Sequence, residues 1–154
     1  MAARRRKRPR TTAETFVVDS SVVLAWYFRD EASPYADGVA KSFLWAKAIV
    51  PAIWPVEIAN ALLTGERRGR TTESDATRFI RQFARLPITV DQQSTTTVWT
   101  STMGLARQHQ LSAYDAAYLE LGMRLAVPLA TLDDALTIAA TKAGVSIYAP
   151  KNRG

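Results

Sequence analysis

Five short apolar runs punctuate the chain: Phe16-Val17-Val18, Ala48-Ile49-Val50-Pro51, Pro87-Ile88-Thr89-Val90, Val127 to Leu132 and Val145 to Tyr148. Their length and β-branched content predict strands. The segments between them carry apolar residues at helical spacing. Val22 to Phe28 is apolar enough for a buried helix. Ser33-Pro34 is an N-cap followed by proline, opening a helix with Ala36, Val39, Ala40, Phe43 and Leu44 on one side. Pro55 opens another, with Val56, Ala59, Leu62 and Leu63 as its predicted inner stripe and Gly65 or Gly69 as its end. Thr72-Glu73-Ser74-Asp75 is a capping-box pattern before Phe79, Ile80 and Phe83. Further helices are predicted over Ser94 to Gln108, Tyr114 to Leu125, and Asp134 to Ala143, the last ended by Gly144. Strands alternating with helices imply parallel pairing and an α/β layered fold, and there is no internal repeat.

Composition narrows this picture. The chain has 154 residues, 47% hydrophobic, which suits one core. Residues 1–14 read as a basic arm, 15–150 as a single domain and 151–154 as a C-terminal tail. The net charge of +6 belongs to the arm: Arg4, Arg5, Arg6, Lys7, Arg8 and Arg10 lie there, and the other 14 Lys and Arg balance 14 Asp and Glu. Such an arm suits phosphate backbones and equally a disordered solubilising extension. With no cysteine, disulfides, thiolate metal sites and cysteine nucleophiles are excluded. No run approaches the roughly 18 apolar residues of a membrane helix, and a cytoplasmic protein is expected.

The candidate chemistry lies in acids at the edges of apolar segments. Asp19 directly follows the first strand and Asp133 the fourth, and in an open parallel sheet ligands bind beyond the carboxyl ends of strands. Asp115 lies in the first turn of the helix at Tyr114, and Glu57 near the start of the helix at Pro55. Each also has a plainer reading. Asp19 could cap the helix after it, Ser112 to Asp115 matches a capping box, and first-turn acids favour the helix dipole. Thr131 and Asp134 are spaced for a capping box that would leave Asp133 free for the cleft. Asp91 reads as a solvated turn. Carboxylates brought together by one sheet would repel unless a cation compensates. With oxygen ligands, no Cys and a single His (His109), that cation would be Mg²⁺ or Mn²⁺ rather than Zn²⁺.

Four stretches in order resemble the PIN-domain ribonucleases, in particular the VapC toxins of bacterial toxin–antitoxin pairs. They are Phe16-Val17-Val18-Asp19-Ser20-Ser21, Pro55-Val56-Glu57-Ile58-Ala59-Asn60-Ala61-Leu62, Leu111-Ser112-Ala113-Tyr114-Asp115-Ala116-Ala117-Tyr118-Leu119, and Thr131-Leu132-Asp133-Asp134-Ala135-Leu136. The resemblance spans roughly residues 16 to 148. It implies a PIN-like three-layer α/β/α fold with a central, mostly parallel sheet of four to five strands. Asp19, Glu57, Asp115 and Asp133 become the acidic metal-binding set, with Ser20 and Thr131 in support. Asp133 is the weakest transfer, Asp134 being its rival. The implied activity is metal-dependent endoribonuclease cleavage by the toxin of a type II toxin–antitoxin pair. A VapB-like antitoxin and a homodimer are the implied partners.

An acidic cleft must still attract RNA. Arg67, Arg68, Arg70, Arg78, Arg81 and Arg85 cluster after the Glu57 helix and could contact phosphates, or form a solvated face balanced by Glu66, Glu73 and Asp75. Trp26, Tyr27, Phe28, Trp45 and Trp54 read mostly as core, with one or two available to an antitoxin helix. The competing class is an inactive nucleic-acid- or antitoxin-binding module of the same fold. A phosphatase of haloacid dehalogenase type is disfavoured, because it wants an acid where Ser21 stands.

Overall fold

Phe16, Val17 and Val18 are consecutive and all fully buried, so both faces of β1 (Glu14–Val18) are covered. The computed structural model describes residues 13–152, and the basic arm's six cations lie outside them. β1 pairs in parallel with β2 (Ala46–Pro51) on one side and β4 (Leu129–Ala130) on the other. β3 (Ile88–Asp91) adds to β2, giving the all-parallel order β3-β2-β1-β4. The chain thus builds outward from β1 to β3 and then returns to the opposite side of β1. At such a reversal, ligands bind in the crevice beyond the carboxyl ends of the flanking strands, here β1 and β4.

Helices flank this sheet: α1 (Ser20–Tyr27), α2 (Pro34–Ser42), α3 (Trp54–Arg67), α4 (Glu73–Phe83), α7 (Ala113–Leu125) and α8 (Asp134–Lys142). The capping signals act as their chemistry requires. Ser33, Thr72 and Ser112 each accept a backbone N–H of their own helix. The segment before α7 is one helical run, α5 (Thr95–Thr97), a π-turn over Val98–Thr102, and α6 (Met103–His109). α7 packs against β1, β2 and β4, and Ala116 to Gly122 are all buried. Phe16 stacks on Tyr148 with ring centroids 4.1 Å apart and meets Phe43 at 5.5 Å. The architecture is the expected PIN-like α/β one, with a four-stranded sheet.

Several expectations are corrected. The fifth strand is reduced to one bridge, Leu129 to Ile147. α3 buries Trp54, Ile58, Leu62 and Gly65, while Val56 is 61% and Leu63 46% exposed, so the inner stripe is rotated from the predicted one. The rotation follows from Gly65, whose missing Cβ would stand 3.0 Å from the Phe28 ring: the helix approaches the core on its glycine side. Gly69, with φ +69°, is the residue past the helix end, and Gly144, with φ +79°, follows α8 as expected. Ile80 is exposed beside buried Phe79, and Leu44 lies beyond the end of α2 and is 85% exposed. Phe28 and Trp54 are buried, and Trp26, Tyr27 and Trp45 pack on the core as partly buried side chains.

Two stability outcomes follow. Phe16→Ala should cost about 3–5 kcal/mol in urea unfolding, since it empties the contact between β1, Tyr148 and Phe43. Ala126, which ends α7 at φ +52° and is exposed, should gain about 0.5–1 kcal/mol on replacement by Gly, which adopts that conformation without strain.

Candidate active site

Asp19 stands where β1 ends and α1 begins, and it is only 4% exposed. It is the N-cap residue of α1 by position, yet its side chain caps nothing. Its carboxylate instead accepts Ser21 Oγ at 2.7 Å and Thr131 Oγ1 at 2.8 Å, both on Oδ2, and Ser20 Oγ at 3.4 Å on Oδ1. Thr131 comes from the chain just past β4, so this bond joins the ends of the two strands that flank the crevice. Ser21 Oγ also accepts the Leu132 N–H at 3.1 Å, and Thr131 Oγ1 accepts the Asp133 N–H at 3.0 Å.

The other three acids reach the same region from three helix starts. Asp115 lies in the first turn of α7, where Ser112 Oγ accepts its N–H at 3.1 Å. Glu57 lies in the first turn of α3, and its Oε1 accepts the Tyr118 hydroxyl at 2.6 Å. Asp133 is itself the N-cap of α8, with Oδ1 accepting the Leu136 N–H at 2.7 Å. The expected capping box from Thr131 to Asp134 is therefore overturned. Thr131 spends its hydroxyl proton on Asp19, Asp133 takes over the cap, and Asp134 sits exposed in the first turn.

The carboxyls influence one another. Burial pushes the Asp19 pKa up, hydrogen bonds from Ser21, Thr131 and Ser20 oppose the rise, and the charge of Asp133 adds to it. Glu57 is raised by burial and by Asp19 and Asp115, against the Tyr118 bond. Asp115 is raised by burial and then by Asp19 and Asp133, against Ser112. Each of the four charges therefore acts on, or is acted on by, another of the set. Like charges in one half-buried place are the condition that a cation relieves, and all-oxygen donors match a hard divalent ion. The side chains as they stand are not gathered for it: among the described residues no three His, Asp or Glu are grouped closely enough to hold one ion. Oδ1 of Asp133 accepts the Leu136 N–H and Oε1 of Glu57 accepts the Tyr118 hydroxyl, so each carboxyl is held through one oxygen.

The arginines divide. Arg70 Nη2 donates to both Asp30 oxygens at 2.9 Å and to Glu31 at 3.3 Å, and the guanidinium lies 4.2 Å from the centre of the Phe28 ring. Arg78 pairs with Asp75 at 3.5 Å, and both, with Arg70, line a cleft of about 740 Å³ beside Tyr27 and Phe79 that includes none of the four acids. Arg67, Arg68, Arg81 and Arg85 are exposed. Asp91 is not a solvated turn: it ends β3 and takes Arg124 at 2.6 Å, while Arg124 also holds buried Glu120 at 2.7 Å. His109 ends α6 half-buried, before Gln110 at φ +55°. Two site residues escaped the sequence reading. Ser21 makes a shorter bond to Asp19 than the expected Ser20, and Tyr118 holds Glu57. A signal for Tyr118 existed, since it follows Asp115 by three residues and so shares its helix face.

No protein-family model matches the chain. It is 29% identical over 117 residues to "Ribonuclease VapC3" of Pyrobaculum aerophilum, covering 76% of this chain and 88% of that protein. Among solved structures it is similar to PAE2754 from Pyrobaculum aerophilum, with a TM-score of 0.63 and 22% identity, over 83% of this chain and 87% of the other. It is also similar to FitAcB from Neisseria gonorrhoeae, with a TM-score of 0.57 and 13% identity, over 88% and 97%. No helix among the described residues is long and apolar enough to cross a membrane. In sequence and in fold, the chain is similar to VapC-type PIN-domain proteins.

Proposed function

We propose that the chain is a metal-dependent endoribonuclease, the toxin of a type II toxin–antitoxin pair, which hydrolyses RNA phosphodiester bonds at Asp19, Glu57, Asp115 and Asp133. The observation that carries this reading is Asp19, buried at the end of β1 and bonded to Thr131 past the end of β4, with Glu57, Asp115 and Asp133 near enough for charge to act within the set. The similarity to a protein named as a ribonuclease supports it. Mg²⁺ or Mn²⁺ is the cofactor this donor set would hold, supplying an activated water and charge neutralisation at the phosphate.

The chain's own residues have separable tasks. Ser21 and Thr131 orient Asp19 and oppose the rise in its pKa that burial causes. The α7 N-terminus favours the negative charge of Asp115. Asp133 keeps one oxygen on the α8 cap and has the other to offer. Exposed Arg67, Arg68, Arg81 and Arg85 are suited to backbone phosphates of single-stranded or looped RNA. Arg70 and Arg78 are less so, being committed to acids. A VapB-like antitoxin and a second copy of the chain are the partners proposed. Exposed Val56 and Leu63, two turns apart on α3, and Trp99, 70% exposed, offer apolar surface for them.

The ungrouped carboxylates favour one second reading, an inactive RNA- or antitoxin-binding module of the same fold. Cleavage-site mapping on total RNA separates the two. The nuclease reading expects Mn²⁺-dependent cuts with 5′-phosphate and 3′-hydroxyl ends, abolished by EDTA and reduced more than about 100-fold in Asp115→Asn. Ends carrying 2′,3′-cyclic phosphate would overturn it, and RNA retention without cleavage would favour the module.

The site also predicts a pH dependence. Asp19, Glu57 and Asp115 all have raised pKa values, so their ionisation opposes folding at neutral pH. That opposition is complete above the raised values and vanishes below the ordinary carboxylate range near pH 4. The melting temperature of metal-free protein should therefore rise as pH falls from neutrality toward about 4, the ordinary carboxylate range. Added Mn²⁺ should raise it at pH 7.5 and progressively less as pH falls toward about 4. Asp19→Asn should melt no lower than wild type at pH 7.5 while losing cleavage.

A further inference from the structure

Tyr118 is 0% exposed, yet its hydroxyl reaches the acidic crevice. It lies one turn after Asp115 on α7, the helix that packs directly on β1 and β2. Its O–H donates to Glu57 Oε1 at 2.6 Å, across the gap between α7 and α3. A carboxylate only accepts, so the phenol proton is committed to Glu57. The charge of Asp19 bears on the Tyr118 hydroxyl as well, so Tyr118 is near the residue at the centre of the site.

Resting on the nuclease reading above, we infer that Tyr118 is a positioning residue: its buried hydroxyl fixes the Glu57 carboxylate so that the second oxygen, Oε2, is offered to the divalent cation. A glutamate has three rotatable bonds and several rotamers to lose on ligation. The phenol, enclosed by the core and unable to turn away, removes that freedom in advance. α7 thus contributes twice to one site: Asp115 as a ligand, and Tyr118 as the anchor of a ligand on another helix. Outer hydrogen-bond partners of this type change metal affinity by about 10–100-fold when removed.

Tyr118→Phe keeps the ring and removes only the hydroxyl. Its Mn²⁺ affinity, measured by calorimetry, should fall about tenfold, and the Mn²⁺ concentration giving half-maximal RNA cleavage should rise by a similar factor. The rate at saturating Mn²⁺ should return to within about twofold of wild type, because Tyr118 acts through Glu57 and touches no reacting atom. Ser42→Ala is the control: it removes another buried hydroxyl bond, to Gly38 O at 3.0 Å in α2, and should leave Mn²⁺ affinity unchanged. Wild-type affinity in Tyr118→Phe would overturn the inference. So would equal losses in both variants, which would mark general loosening, or a rate that saturating Mn²⁺ does not restore. If wild type itself binds no Mn²⁺, the nuclease reading falls, and the inference falls with it for that separate reason.

Discussion

A carboxylate buried at the end of the central strand is the constraint around which the rest is arranged. Asp19 is 4% exposed and feels the charges of its neighbours, so the fold must keep it satisfied without capping α1. Hydroxyls do this from two directions. Ser20 and Ser21 follow it in the chain, and Thr131 arrives from the end of β4. A buried charge is tolerated only when paired or hydrogen-bonded. Three hydroxyl donors reduce its cost without cancelling it.

The sheet order explains why the acids meet at that place. β4 returns to the opposite side of β1 from β2, and Thr131 and Asp133 come with it. α7 then lies across β1 and β2 with its N-terminus toward the acids. At the far end of that helix, Arg124 bridges buried Glu120 to Asp91 at the end of β3. The helix that carries Asp115 and Tyr118 is thereby pinned to the sheet by packing along its length and by ion pairing at its last turn.

Much of this was legible in the chain, for physical reasons that differ by element. β1 reads clearly because a strand covered on both faces must be uniformly apolar. Ser33, Thr72 and Ser112 mark helix starts because capping chemistry is local. The four acids could be picked out because each sits at a boundary between an apolar run and a turn. What stayed hidden depends on tertiary approach. The stripe of α3 turns on how closely Gly65 meets Phe28. The roles of Thr131 and Asp133 could not be separated by spacing, because Thr131 is claimed by a residue 112 positions away. Arg70 and Arg78 looked available to RNA until their acidic partners were placed.

The central claim is that these carboxylates hold a divalent cation between them. A crystal structure of the protein grown with Mn²⁺, with anomalous scattering to identify the ion, tests it most directly. The account predicts an Mn²⁺ peak at the crevice, about 2 Å from oxygens of Asp19 and Asp115, with Glu57 or Asp133 reaching it directly or through water. An anomalous map with no ion among these four residues, at Mn²⁺ concentrations that support RNA cleavage, would contradict it.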